Sequence, residues 1–317
     1  MTRKTPDLAP LPKPRTREGR LRRVGVEIEF GALQETRVAE IVQELFGGEV
    51  RRRSDKGLLV CDSTLGDIEL YLDSQYLRDD GSKLEKSLHD LARSVVPVEI
   101  VTEPIEPAQI ADLDRLVTRL RDEGATGTAA GVFLGFGVHF NPEVVAMDAD
   151  EIVPVLHAFA FTENALREAM QIDFSRRVLP FVDPYPKALL DALATEEIGD
   201  LDDLMRVYLK NAPSRNHGLD MLCILAEHDA DRVRNTLGDA LVSARPTYHY
   251  RLPDCRIDEP GWSLALEWNR WVRVEEMAED AELIADLRAG WRAHSAALTT
   301  RRADWVKRSA AMVGGLR

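Results

Sequence analysis

The stretch "RVGVEIEFG", from Arg23 to Gly31, alternates strictly between apolar and polar or small residues. In an extended chain successive side chains point to opposite faces. Val24, Val26, Ile28 and Phe30 therefore share one face, and Gly25, Glu27, Glu29 and Gly31 share the other. The period of two predicts a strand that is half buried. Downstream, "ETRVAEIVQELFGG" places Val38, Ile41, Val42 and Leu45 at helical spacing and stops at Gly47 and Gly48. "EVRRRSDKGLLVCDSTLGDIELYLD" reads as a hairpin, with strands near Leu58 to Asp62 and Ile68 to Leu72 around a turn at Leu65 to Asp67. A further strand in "VVPVEIVTEPI" ends at Pro104, and Pro107 to Glu123 is an amphipathic helix with proline in its first turn and Gly124 beyond.

"GVFLGFGVHFNPE" is an apolar strand broken by glycines, followed by a long helix from Asp148 to Gln171. Helical periodicity then dominates from about Lys187 to Leu241, interrupted by "NAPSRNHGLD". A returning strand, "ARPTYHYRLP", precedes C-terminal helices whose tryptophans read as core or oligomer contacts. The order predicts an α+β fold: one mainly antiparallel sheet packed with helices.

Composition adds limits to this picture. At 317 residues, with 44% hydrophobic and 30% charged residues, the chain has the makeup of an ordinary globular protein. The basic, proline-rich residues 1–22 are expected to be a flexible, exposed arm, and residues 23–317 a single domain with a helical insert around 187–241. A net charge of -13 disfavours nucleic acid as a partner. The three cysteines, Cys61, Cys223 and Cys255, lack paired spacing, which fits a reducing cytoplasm. No segment approaches the roughly 18 apolar residues of a membrane span, so a soluble, cytoplasmic protein is expected.

The polar faces of the strands carry the chemistry. Beside Glu27 and Glu29, the same parity puts Glu99, Val101 and Glu103 on one face of a second strand. Gly137, His139 and Asn141 share a face of a third, and Thr247, His249 and Arg251 a face of a fourth. Each motif alone is usually a solvated face; together, short-reach metal-ligand types beside glycines describe a site. Carboxylates about 7 Å apart on one strand face repel unless a cation bridges them. Oxygen ligands favour Mg²⁺ or Mn²⁺, and an arginine on a neighbouring strand suits a transferring phosphoryl group. No GxxxxGK[ST] and no GxGxxG after a strand occurs, so a P-loop or Rossmann site is disfavoured and the sheet itself would hold the phosphates.

Taken together, "GVEIEF", "VEIVTEP", "GVHFN" and a late strand ending in arginine resemble the amidoligase branch of the glutamine synthetase and glutamate-cysteine ligase superfamily. The resemblance runs from about Arg23 to the helix beginning near Trp262. It implies a glutamine synthetase-like catalytic fold and a carboxylate-amine ligase that joins an acid to an amine through an acyl phosphate, using ATP with Mg²⁺ or Mn²⁺. By the resemblance Glu27, Glu29 and Glu99 are metal ligands, with Glu29 also part of the catalytic centre. His139 and Asn141 touch metal, nucleotide phosphate or substrate, and Arg251 binds and stabilises the transferring phosphoryl group. One departure stands out: His249 occupies the place of a usual metal-binding glutamate. Imidazole suits metals other than Mg²⁺, so the number of metals is left open.

Asp62 and Glu69 are further candidates for metal or substrate contacts. Arg176 and Arg177 could gate substrate or pair with surface acids. "SRNHGLD" is expected to open a helix at Ser214, either as an anion site lined by Arg215, Asn216 and His217 or as a simple capped helix start. Small-molecule or peptide acids and amines are the expected partners, with oligomeric state open. Two other function classes stand beside the ligase: a noncatalytic nucleotide- and metal-binding scaffold of the same fold, and a metal-dependent phosphotransferase.

Overall fold

The structure, a computed structural model, describes residues 6–53, 57–72, 97–130, 135–173, 176, 182–238, 242–297, 299 and 301–315. Among them eight strands form one sheet: β1 (Val24–Phe30), β2 (Glu49–Arg53), β3 (Gly57–Ser63), β4 (Gly66–Leu72), β5 (Val98–Thr102), β6 (Val138–Pro142), β7 (Leu219–Asp220) and β8 (His249–Tyr250). The order is β2-β3-β4-β5-β1-β6-β8-β7, with every neighbouring pair antiparallel. The first strand in sequence thus lies inside the sheet, where its apolar residues are sealed and its glutamates meet both neighbours.

Among the described residues ten α-helices accompany the sheet: α1 (Glu35–Phe46), α2 (Ile110–Asp122), α3 (Ala149–Met170), α4 (Lys187–Thr195), α5 (Leu201–Asn211), α6 (Leu222–His228), α7 (Ala230–Leu237), α8 (Leu264–Ala278), α9 (Ala281–Ala296) and α10 (Arg302–Met312). The apolar face of β6 and β8 packs on α3 and α8. Phe140 and Trp268 rings lie 5.7 Å apart, Tyr250 and Trp271 5.3 Å, and Phe159 and Tyr250 6.0 Å. The tryptophans of these helices are core residues: Trp268, Trp271 and Trp305 are fully buried.

Local chemistry sets the helix boundaries. Asp148 accepts from Glu151 N–H to start α3, Ser263 from Leu266 N–H to start α8, and Asp280 from Leu283 N–H to start α9. At the β3–β4 turn Gly66 adopts φ 80°, a left-handed backbone that glycine takes without a side-chain clash. The expected hairpin, the strand before Pro104 and the long helix from Asp148 all form.

Two expectations are corrected. Residues 6–22 do not form an exposed arm. Leu11, Thr16 and Arg22 are buried, Ala9 exchanges hydrogen bonds with Asn269 and Trp268, and Lys13 bridges Glu151 and Glu279 at 2.9 and 3.0 Å. Lys13, Arg17 and Arg22 find acidic partners on α3 and α8 or at their ends, and the backbone carbonyls of Asp7 and Ala9 accept from Asn269 and Trp268 of α8. Nor does Ser214 open a helix. Residues 212–218 are irregular, β7 follows, and the next helix begins at Leu222.

Candidate functional site

The register gathers the polar residues into rows across the sheet. One row places Glu69 of β4, Val101 of β5, Glu27 of β1 and His139 of β6 opposite one another in turn. The next holds Tyr71, Glu99 and Glu29. Asn141 pairs with Gly25, and His249 of β8 pairs with Asp220 of β7. Phe140 and Tyr250 are partners on the apolar face, so their neighbours His139 and His249 share the polar one.

Side-chain bonds tie these rows together. Glu27 accepts from His139 Nδ1 at 2.7 Å and from Asn141 Nδ2 at 2.8 Å, and Arg245 Nη2 donates to Asn141 Oδ1 at 2.7 Å. Glu29 accepts from the Gly137 N–H at 2.8 Å and lies 4.0 Å from His139 Nε2. His139 and His249 rings meet edge to face with centroids 5.2 Å apart. Two guanidinium groups border the carboxylates. Arg251 is held through the Arg215 carbonyl, and Arg176 through the carbonyls of Arg251, Leu252 and Pro253. A Cβ on Gly137 would sit 2.9 Å from Arg176 Nη2 and 3.1 Å from His139 Nε2, so only glycine lets these groups approach.

Burial is the largest electrostatic influence here. It raises Glu29, against the Gly137 N–H and the charges of Arg176 and Arg251. It lowers His139, His249 and Arg251. Burial opposes ionisation of Glu27 too, but the hydrogen bonds from His139 and Asn141 outweigh it, and its carboxyl is held well below the usual range. A carboxylate only accepts, so His139 Nδ1 carries the proton and its neutral ring presents Nε2 as a lone pair. Ligand atoms of Glu27, His139 and His249 lie within 4.8 Å of one another, as do those of Asp220, Cys223 and His249.

The candidate residues separate cleanly. Glu27, Glu29, Glu99, His139, Asn141, His249, Arg251 and Arg176 converge on one face. Glu69 lies on the Glu27 row two strands away, where it pairs with Arg53. Asp62 is exposed beside the β3–β4 turn, and Glu103 accepts from the Asp67 N–H at that turn. Arg215 is exposed and contributes only its carbonyl, while His217 is buried against Tyr185 with Nδ1 3.3 Å from the Asp183 carbonyl. Arg177 lies outside the described residues.

Three residues at this face escape sequence reasoning. Arg245 shares parity with Thr247, His249 and Arg251, so extending the period-two rule by one step finds it. Asp220 sits on a strand of two residues, too short to show a period. Cys223, in the first turn of α6, carries no sequence signal. A separate cleft of about 310 Å³, lined by Tyr185, Lys187, Trp291 and Arg302 among others, shares none of the site residues.

A protein-family model described as "Putative amidoligase enzyme" matches residues 20–273, most of the chain and all of this face. The chain belongs to this amidoligase family. No curated protein and no solved structure matches it significantly. Among the described residues no helix is long and apolar enough to cross a membrane.

Proposed function

We propose that this amidoligase-family chain is an ATP-dependent carboxylate-amine ligase with a glutamine synthetase-like catalytic sheet. The observation that carries the reading is the convergence of Glu27, Glu29, His139 and His249 with the guanidinium groups of Arg176 and Arg251 on one buried face. Acids and imidazoles packed this closely suit a cation, and although Arg176 pairs with Asp254 at 3.4 Å, the Nε groups of Arg176 and Arg251 lack a partner and suit an anion.

In this reading a substrate carboxylate oxygen attacks the γ-phosphorus of ATP, the bond to the bridging oxygen breaks, and ADP leaves. The amine nitrogen then attacks the acyl carbon of the resulting acyl phosphate, phosphate departs with its oxygen, and the nitrogen loses a proton. Arg251 and Arg176 stabilise the charge on the transferring phosphoryl group and orient it. Glu29 and Glu99, opposite one another on adjacent strands, would hold the divalent ion that accompanies ATP, with Glu27, His139 and His249 grouped beside them. The donors fit: both ring nitrogens of His249 are buried without a hydrogen-bond partner. When bound there, Mg²⁺ or Mn²⁺ would supply charge neutralisation for the phosphates. The acid and amine are small molecules or peptides, and the proposed compartment is the cytoplasm.

The test is ADP release from Mg²⁺-ATP or Mn²⁺-ATP with pooled amino acids and dicarboxylates and hydroxylamine as the amine. Hydroxamate and ADP that both vanish in a folded Glu27→Ala variant are expected. Full activity in that variant contradicts the assignment.

A further inference from the structure

The cleft of about 310 Å³ that stands apart from the catalytic face is built by four helices. Asn164 of α3, Lys187 and Leu190 of α4, Trp291 and Ser295 of α9, and Arg302 of α10 line it. Asp191 of α4, which does not line the cleft, fixes three of these side chains. Its Oδ1 accepts from Trp291 Nε1 at 2.9 Å and from Ser295 Oγ at 2.8 Å, and its Oδ2 accepts from Lys187 Nζ at 2.6 Å. The wall is therefore set before any ligand arrives, with Trp291 and Leu190 as its apolar surface.

The cations of this cleft sit where the fold least favours them. Lys187 and Arg302 are each the first residue of a helix, where the dipole opposes a positive charge and favours a negative one. No side chain caps the start of α4. Asp191 offsets Lys187, but Arg302 forms no ion pair among the described residues, and Glu163, which attracts it, is already bound to Arg167 at 2.8 Å. Donors are also left over. Arg302 gives its Nε proton to Asn164 Oδ1 at 2.8 Å, and the four on its terminal nitrogens meet no acceptor among the described residues. Lys187, bonded to Asp191 and Ser295, keeps a third N–H. In a chain of net charge -13, no described residue lining this cleft is a carboxylate. The C-terminus of α9 is the one opposing helix end here, against the N-termini of α4 and α10. We propose that the cleft binds a small organic anion, a carboxylate or phosphate monoester on an apolar ring or chain. Its charged group lies between Arg302 and Lys187 and its apolar body lies on Trp291. Binding needs neither ATP nor turnover, so it stands or falls apart from the ligase reading.

The experiment is a fluorine NMR titration of the full chain, without nucleotide or divalent metal, using para-fluorophenyl phosphate, para-fluorophenylacetate and the uncharged para-fluorobenzyl alcohol. Saturable binding of at least one of the two anions is expected, with the alcohol bound far more weakly. Phosphate alone, carboxylate alone or both would each support the site and name the anionic group it takes. Lys187 and Arg302 are exposed, so Lys187→Gln and Arg302→Gln should keep the fold by circular dichroism. Each should weaken the bound anion roughly 10-fold or more, because each removes a charged donor. Binding of neither anion to folded protein overturns the site. So does an affinity for the alcohol equal to that for the anions, or an affinity unchanged in either folded variant, which would place the anion elsewhere on the molecule.

Discussion

Asn141 has its amide orientation fixed from both ends, because Glu27 can only accept from its NH₂ and Arg245 can only donate to its oxygen. Removing the guanidinium in Arg245→Ala frees the amide and loosens Glu27. A hydrogen bond to a charged group contributes about 1.5–3 kcal/mol, so ADP release should fall roughly 10–100-fold while the melting temperature changes little. Gly137→Ala acts at the same scale by crowding. The added methyl presses on Arg176 and His139, and the expected outcome is a folded protein, by circular dichroism, with little ADP release. Much of this site is legible from residue parity, since Glu27, Glu29, Glu99, His139, Asn141, His249 and Arg251 all follow from strand alternation. Asp220 does not, because a two-residue edge strand acquires its facing only by pairing with β8.

At the scale of elements, the segment leading into β1 is locked to α8 by a buried ion pair. Arg22 donates to both oxygens of Glu275 at 2.7 and 2.8 Å, and Trp271 Nε1 donates to the same carboxylate at 2.8 Å. Breaking such a pair costs about 3–5 kcal/mol because one charge stays buried. Arg22→Met should lower denaturant stability by that order, and the double variant Arg22→Met with Glu275→Leu should recover part of the loss. This pairing explains why composition misreads the segment: charged and proline-rich residues look solvent-facing until partners on distant helices appear. The false helix start at Ser214 has a related cause, because a serine after a proline resembles a cap, while residues 212–218 stay irregular and lead the chain into β7.

A pH effect belongs to α3. His157 is buried with Nε2 unpartnered, and burial, helped by Arg288, lowers it to about 4. The unfolded chain holds a proton there up to about pH 6.5, so between about 4 and 6.5 it binds more protons than the folded one. This contribution to stability is therefore full above that window and is lost as pH falls through it, by roughly 3 kcal/mol at the limit. Denaturation at pH 7.5 and 5.0 should show a smaller pH difference for His157→Leu than for the native chain. An equal difference contradicts the assignment.

Across the whole molecule, the site exists only because strands far apart in sequence become neighbours. Glu99, Glu27, His139, His249 and Asp220 come from β5, β1, β6, β8 and β7, consecutive in the sheet. Strand facings are local and can be read from sequence, whereas strand order is a global packing outcome set by the helices that cover the apolar face. The central claim is that this face passes the γ-phosphoryl group of ATP to a carboxylate. The most direct measurement uses an acid substrate labelled with oxygen-18 in its carboxylate, with ATP and hydroxylamine, and mass analysis of the released phosphate. Phosphate carrying an oxygen-18 atom taken from the acid is predicted, because the acyl phosphate leaves with the carboxylate oxygen. Unlabelled phosphate accompanying hydroxamate would contradict the account.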